Sequence, residues 1–382
     1  MDKFPKRIGT FNLPLFDIQA RYKDIMEDIE GLLGDLLFLA EFVGGRFLDQ
    51  FEKAFAAYHG YENDGSFVVG VGSGMDALIL ALKALEIGPG DDVIVPSHTF
   101  IASALAVTHV GANVKFVDVD PLTYNIDIDE VESAIGINTR AIIAVHLYGQ
   151  PCNMDRLVEL TSSKGLYLIE DCAQATGAKW DGKPVGTFGT CGCFSFYPTK
   201  PLGGIGQGGA VLSKDEDLIS KIRMLGDVGR STKYEMTEIG YNSRLDTINA
   251  HFLKRCLPRL DKWNARRRAI SELYRIYLED LNEIHLPYVD PKAEHVYHLF
   301  MIGVDKYIRE ELMVYLSKNF ISSGLYYPIP CHKQPVYNYP MYLRVTEELA
   351  DSLLALPMDT YMTEQHVEYI SSHLIKFFRH RG

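Results

Sequence analysis

Residues 67–117 read FVVGVGSGMDALILALKALEIGPGDDVIVPSHTFIASALAVTHVGANVKFV, and their rhythm decides the fold. Phe67–Val71, Asp92–Val95 and Val114–Val117 are short runs rich in β-branched residues, and the helical-length segments Met75–Leu85 and Ala102–Val110 lie between them. Gly88-Pro89-Gly90 and Gly111 supply turn chemistry before the second and third runs. The alternation continues through Ala141–Val145 and Leu166–Ile169, where Gly165 opens a run that ends in Glu170-Asp171. Strands alternating with helices predict an α/β fold: a mostly parallel central sheet with helices on both faces.

Beyond about Leu245 the pattern turns helical, and residues 248–281 form one long stretch in which Pro258 should kink or divide the helix. This stretch reads as the connection between a large α/β domain with an N-terminal arm, residues 1–250, and a smaller C-terminal α+β domain, residues 251–382. Arg266-Arg267-Arg268 within it reads as a solvated or interface-facing helix surface. There is no internal repeat or low-complexity tract.

The chain has 382 residues, 47% of them hydrophobic, enough for a substantial core. Its formal charge of -12 argues against a generic nucleic-acid surface. The opening MDKFPKRIGTFNLPLFD lacks a signal-peptide core, and no stretch approaches the ~18 apolar residues of a membrane span, so a cytoplasmic protein is expected. Six scattered cysteines without CxxC spacing read as reduced thiols. Cys191 and Cys193 fall on one face of a strand, where packing explains them better than a metal does.

In an open α/β sheet, ligands collect at the carboxyl ends of the strands, and four such ends carry chemistry. Val71-Gly72-Ser73-Gly74-Met75-Asp76 is either an anion cradle at a helix N-terminus or a tight turn capped by Ser73. Glu170 and Asp171 close an apolar strand, a costly place for acids without a cation or donor; Asp171 either pairs with a protonated ring nitrogen or caps a helix over 172–177. Lys200 sits among aromatics, proline and glycines, and a lysine desolvated in this way becomes a competent amine for a Schiff base. A nucleotide-triphosphate loop needs its glycines before the lysine, whereas here they follow it. Phe100, in Pro96-Ser97-His98-Thr99-Phe100, lies flat against a cofactor ring or packs in the core. An anion cradle, a buried acid, the Ser195 hydroxyl five positions before Lys200 and an aromatic face together make the parts of one pyridoxal 5'-phosphate pocket, a combination more specific than any member.

The strings GSGMDAL (72–78), VPSHTFIAS (95–103), HLYGQ (146–150), EDCAQATGA (170–178), SFYPTKPLGGIGQGGA (195–210), YNSRLD (241–246) and YPIPCHKQPVY (327–337) resemble those of the DegT/StrS sugar aminotransferases, a branch of the fold-type I pyridoxal-phosphate enzymes. The likeness runs from Pro14 to Asp359. It implies that Lys200 bears the cofactor and Asp171 partners the pyridine nitrogen. Gln174 then lies beside the 3'-oxygen, Phe100 stacks on the ring, and Gly74, Met75 and Ser195 form the phosphate cup. Asn242 matches an asparagine that reaches the cofactor phosphate of the neighbouring subunit, which implies a homodimer with shared active sites. Tyr327 and His332 match a C-terminal loop and are candidate sugar contacts.

The resemblance further implies an amino group moved from L-glutamate, released as 2-oxoglutarate, through pyridoxamine 5'-phosphate, to a keto sugar linked to a nucleotide diphosphate. Overall likeness points to C3 of a dTDP-3-keto-6-deoxyhexose, as in deoxyamino sugar biosynthesis; C4-aminating and inosose aminotransferases share the same cofactor residues. Gln207, Thr176 and Gly72 depart from the family's usual residues, as does Gly226–Arg230, without removing a catalytic group. Sugar dehydratases using pyridoxamine phosphate resemble this fold but carry His in place of the lysine. A non-catalytic regulatory relative is the other rival.

Overall fold

The computed structural model describes residues 11–61 and 66–380; the first ten residues, read above for a leader, lie outside the described residues. A seven-stranded sheet organises the larger part. Its strands are β1 (Val68–Val71), β2 (Asp92–Pro96), β3 (Asn113–Val117), β4 (Thr139–Val145), β5 (Tyr167–Asp171), β6 (Cys191–Ser195) and β7 (Gly209–Leu212), in the spatial order β1-β7-β6-β5-β4-β2-β3. β3, β2, β4, β5 and β6 run parallel, whereas β7 pairs antiparallel with both β6 and β1. The mostly parallel α/β sheet expected from residues 67–171 is the one observed.

Burial on both faces explains why these strands read as continuous apolar runs and not as alternating patterns. Val93 and Val95 face one core with Leu78, Leu80 and Val107, while Ile94 between them faces another with Ile142 and Leu157. A third cluster, built from Phe51, Phe55, Phe194, Phe196 and Phe252, covers the β6–β7 end.

Eight helices matter below: α1 (Ile18–Asp24), α2 (Arg46–Tyr58), α3 (Gly74–Ala84), α4 (Ala102–His109), α5 (Thr247–Cys256), α6 (Leu260–Leu278), α7 (Arg344–Ser352) and α8 (Glu364–Arg379). The short turn Leu257–Arg259 around Pro258 separates α5 from α6, as a proline lacking its N–H dictates. Along these helices the side chains pass from the phenylalanine-rich cluster, which ends at Trp263, to a second core that begins at Ile270. That core packs Tyr274 and Leu278 of α6 and Ile370 and Leu374 of α8 against an antiparallel sheet of β8 (Ile284–His285), β9 (Phe300–Val304) and β10 (Leu353–Leu356).

The three arginines do not form one solvated surface. Arg267 is 3% exposed; its Nε donates to the Val296 carbonyl at 3.0 Å and it also holds the Asn264 side chain. Successive helical residues step about 100° around the axis, so three in a row cannot share a face. Arg267 falls on the stripe of Trp263, Ile270 and Tyr274, all buried, and the sequence reading of the triplet is corrected at this residue. Among the described residues, all six cysteines are buried, and no helix is long and apolar enough to cross a membrane.

Candidate active site

The cradle forms where β1 turns into α3. Ser73 has extended backbone and caps the helix, its Oγ accepting from Asp76 N at 3.0 Å. The first intrahelical donor is Ala77 N, which leaves the N–H groups of Gly74 and Met75 ahead of it, aimed out of the helix end. Such an end, with its partial positive charge, receives anions. Ser195, the last residue of β6, lies against it. A Cβ added at Gly74 would stand 2.7 Å from Ser195 Cβ, so only glycine permits this approach. The Ser73 cap posed above is present. Ser243, within YNSRLD, ties that motif to the cradle: its hydroxyl accepts from Gly72 N at 3.0 Å and donates to Asp76 at 2.7 Å.

The two acids at the end of β5 have different surroundings. Glu170 accepts from Gly186 N, Phe188 N and Gly189 N at 2.7–2.8 Å, and from His146 Nε2 at 3.1 Å. His146 Nδ1 accepts from Cys152 N, so its proton sits on Nε2. Glu170, His146 and Cys172 are close enough to bracket an ion, yet four donors already saturate this carboxylate. Asp171 has less. Oδ2 accepts from Ser103 Oγ of α4 at 2.8 Å and Oδ1 from Ala173 N at 3.1 Å. No helix follows over 172–177, so the capping alternative falls away. Burial pushes the Asp171 carboxyl upward, opposed by Ser103, the Ala173 N–H and the positive charge of Lys200.

Lys200 closes a tight turn after β6, its N–H bonded to the Tyr197 carbonyl at 2.8 Å. Burial lowers its amine to about 8, with Asp171 acting in the opposite sense, so each group lies within the other's field. His298 lies within reach of the same charge, and burial holds it neutral. The glycines that follow are filled by Asn249, whose Oδ1 would lie 2.2 Å from a Cβ at Gly204.

Gln174 is fixed at both ends: Oε1 accepts from Tyr148 N at 2.7 Å and Nε2 donates to Tyr327 Oη at 3.1 Å. Tyr148 donates to the Tyr326 carbonyl, so its hydroxyl accepts from His98 Nε2 at 2.8 Å. Burial accordingly keeps His98 neutral, its pKa lowered to about 4. Phe100 is 52% exposed, its ring 5.7 Å from that of Tyr327. His332 departs from expectation. It is fully buried, with Nδ1 against Ser97 Oγ at 2.6 Å and Nε2 against Glu347 of α7 at 3.2 Å. With both nitrogens engaged it offers a sugar nothing, and it instead pins the 327–332 loop to the end of β2. Asn242 is exposed and accepts from Arg244 at 2.8 Å.

Sequence reasoning assigned no role to Ser103, Ser243, His298, Tyr148 or Arg21. Ser103, Ser243 and Tyr148 lay inside quoted strings, and a hydroxyl one helical turn beyond Phe100 was a usable signal for Ser103. The others come from distant segments, and only folding brings them here.

The DegT/DnrJ/EryC1/StrS aminotransferase family model matches residues 23–375. A Geobacillus stearothermophilus "pleiotropic regulatory protein" is 37% identical, covering 97% of this chain and 99% of that protein. A UDP-N-acetyl-3-dehydro-alpha-D-glucosamine 3-aminotransferase of Acidithiobacillus ferrooxidans is 41% identical over 94% of this chain and 96% of its own. A dTDP-3-amino-3,4,6-trideoxy-alpha-D-glucose transaminase of Streptomyces venezuelae is likewise 41% identical, over 93% of each. Among solved structures, S. venezuelae DesV in complex with a ketimine intermediate superposes with a TM-score of 0.92 at 39% identity, covering 96% of this chain and 99% of that one. With cradle, acid and lysine arranged as described and the match spanning nearly the whole chain, this protein belongs to the DegT/DnrJ/EryC1/StrS aminotransferase family and is a pyridoxal-phosphate-dependent transaminase.

Proposed function

We propose that this enzyme takes an amino group from L-glutamate and places it on C3 of a keto sugar linked to a nucleotide diphosphate, a dTDP-3-keto-6-deoxyhexose, in the cytoplasm. The observation that carries the chemistry is the Lys200 amine, lowered to about 8 beside the buried Asp171 carboxylate. Relatives named for amination at C3, on UDP- and dTDP-linked sugars, support the substrate class.

Pyridoxal phosphate, when bound, supplies an aldehyde for the amine and a ring that takes up electrons from a breaking C–H bond. Lys200 Nζ is the group to hold it; with a pKa near neutrality the freed amine both accepts and returns a proton at physiological pH. Asp171 keeps a ring nitrogen protonated by charge pairing in a water-poor site. The N–H groups of Gly74 and Met75 and the Ser195 hydroxyl bind the phosphate. Gln174 presents its amide beside the ring oxygen, oriented by Tyr148 and Tyr327. Phe100 covers one ring face, and Tyr327 points a hydroxyl towards the sugar side. Asn242, exposed in the single chain, reaches the phosphate of a second copy in a homodimer. Residues 1–250 carry the cofactor and 251–382 form the smaller domain.

The purified holoenzyme should show a visible absorbance band that glutamate converts to a near-ultraviolet one, and a dTDP-linked 3-keto sugar should restore it. A band indifferent to glutamate removes the donor assignment. A band indifferent to every amino donor favours a regulatory role like that in the name of the Geobacillus relative.

A further inference from the structure

We propose that Arg21 is a positioning residue for the Lys200 amine, holding the turn that carries the lysine and linking its orientation to the seat of the N-terminal segment on the second core. The proposal rests on the reading of Lys200 as the cofactor lysine.

Arg21 lies on α1, far from Lys200 in sequence, yet its NH1 donates to the carbonyl oxygens of both Pro198 and Lys200 at 3.1 Å. One nitrogen thus gathers the two ends of the Pro198–Lys200 turn. The next residue, Tyr22, donates to the Gly204 carbonyl at 2.8 Å, so one turn of helix spans the loop on both sides of Lys200. The turn is tight: a Cβ at Gly203 would stand 2.2 Å from the Pro198 carbonyl oxygen and 2.7 Å from Arg21 NH1.

Arg21 is 3% exposed, its Nε has no partner, and its guanidinium lies 5.5 Å from the Trp263 ring centre. Desolvating a guanidinium is costly unless its donors are used, and the donors in use here point at the backbone of the lysine turn. A lysine side chain has four rotatable bonds, so the peptide planes on either side of its Cα set where the amine can reach. Arg21 fixes the plane that follows this Cα, through the Lys200 carbonyl, and the plane at the start of the turn, through the Pro198 carbonyl.

The anchorage of α1 supplies the second half of the argument. A seven-residue helix does not hold itself. Asp17 caps it, accepting from Ala20 N at 2.9 Å, and donates its own N–H to Asp359 at 3.1 Å. Leu13 pairs by backbone with Phe320 and Ser322, and Leu15 with Met358. Phe16 stacks on His298 at 5.4 Å, the histidine that senses the charge of Lys200. The strap that ends in the Arg21 guanidinium therefore starts on the second core.

The test uses holoenzyme carrying Arg21→Met, which keeps apolar volume beside Trp263, and Arg21→Lys, which keeps charge but places one ammonium on a different reach. A loosened turn opens the site to water, so the midpoint of the pH titration of the visible band should shift by about half a unit or more from wild type in Arg21→Met. The rate of the glutamate half-reaction should fall about 10- to 100-fold with KM within about twofold, the signature of a misplaced reacting group. Arg21→Lys should recover part of both effects, and it decides the matter alone if the methionine variant does not fold. A wild-type midpoint and half-reaction rate in the folded variants overturn the proposal, even if their melting temperature drops. If the wild-type band persists in Lys200→Ala, the underlying reading of Lys200 fails instead.

Discussion

Replacing Gly74 by alanine adds one carbon at the point where the helix end that receives the phosphate meets the strand end that carries Ser195. The new Cβ would lie 2.7 Å from Ser195 Cβ, 3.1 Å from its Oγ and 3.2 Å from its Cα. Ordinary carbon contacts begin near 3.5 Å, so the two backbones must separate by roughly 0.8 Å. Ser195 cannot swing away, because the clash begins at its Cβ. Overpacking of this kind costs about 1–3 kcal/mol, offset in part by the advantage of alanine in a helix, about 1 kcal/mol. The apo-protein should therefore melt within a few degrees of wild type. Cofactor binding should suffer more. The Gly74 and Met75 N–H groups and the Ser195 hydroxyl converge on one anion, and charge-assisted bonds are worth about 1.5–3 kcal/mol each; a displacement approaching 1 Å forfeits one of them. At 1.4 kcal/mol per tenfold, affinity for pyridoxal phosphate should fall about 10- to 100-fold in a titration followed by absorbance. The double variant Gly74→Ala/Ser195→Gly removes the clashing carbon and should regain stability without regaining affinity. Wild-type affinity in Gly74→Ala would refute the assignment of this cradle to the phosphate.

Asp171→Asn removes the buried charge while keeping the shape, with the amide oxygen still accepting from Ala173 N and the amide nitrogen donating to the Ser103 hydroxyl; breaking a buried pair costs about 3–5 kcal/mol, so half-reaction rates should fall at least about a hundredfold with circular dichroism unchanged, and wild-type rates would take Asp171 out of the ring-nitrogen role. Lys200→Met tests the burial of the amine through stability. The folded apo-protein holds Lys200 at about 8 against an ordinary value of 10.5, so between those values the unfolded chain binds more protons and stability rises with pH. The cost of burying the charge is thus fully present below about pH 8 and relieved as pH passes 10.5. Apo Lys200→Met should melt higher than apo wild type at pH 7, with the gain shrinking in a pH series to above 10; a constant difference would show that Lys200 is solvated.

The strands and the chemistry at their ends were legible because two short-range signals coincide there. A strand buried on both faces must be apolar throughout, so Ile169 followed by Glu170-Asp171 marks an abrupt change of environment, and Val71 followed by Gly72-Ser73-Gly74 marks a turn with exposed N–H groups. Periodicity locates both. It says nothing about which of two adjacent acids faces the ligand; Glu170 points into a ring of backbone N–H groups from residues 186–189, which no spacing rule anticipates. Arg267 illustrates the converse error, where a run of like charges was read by composition although helical phase placed its middle member in the core.

His332 shows why the substrate side was less legible than the cofactor side. The groups proposed to hold the cofactor lie at or just beyond the ends of sheet strands, where one local segment fixes each of them. The 327–332 loop follows the second core's strand β9 in sequence but packs on the large sheet's core, Cys331 within it and Tyr327 against it, held by pairings across more than two hundred residues, Cys331 N to Ser97 O and His332 to Ser97 Oγ among them. A histidine in such a loop is equally suited to touching a ligand or to fastening the loop, and only the partners of its two nitrogens decide. Here both are taken, by Ser97 and by Glu347. The residues this fastening presents are Tyr327 and Phe100, whose ring centres lie 5.7 Å apart. Phe100 also sits three residues from Ser97 and three from Ser103, the donor to Asp171. The same short segment thus supplies the donor to Asp171, the aromatic partner of Tyr327 and the anchor of the 327–332 loop.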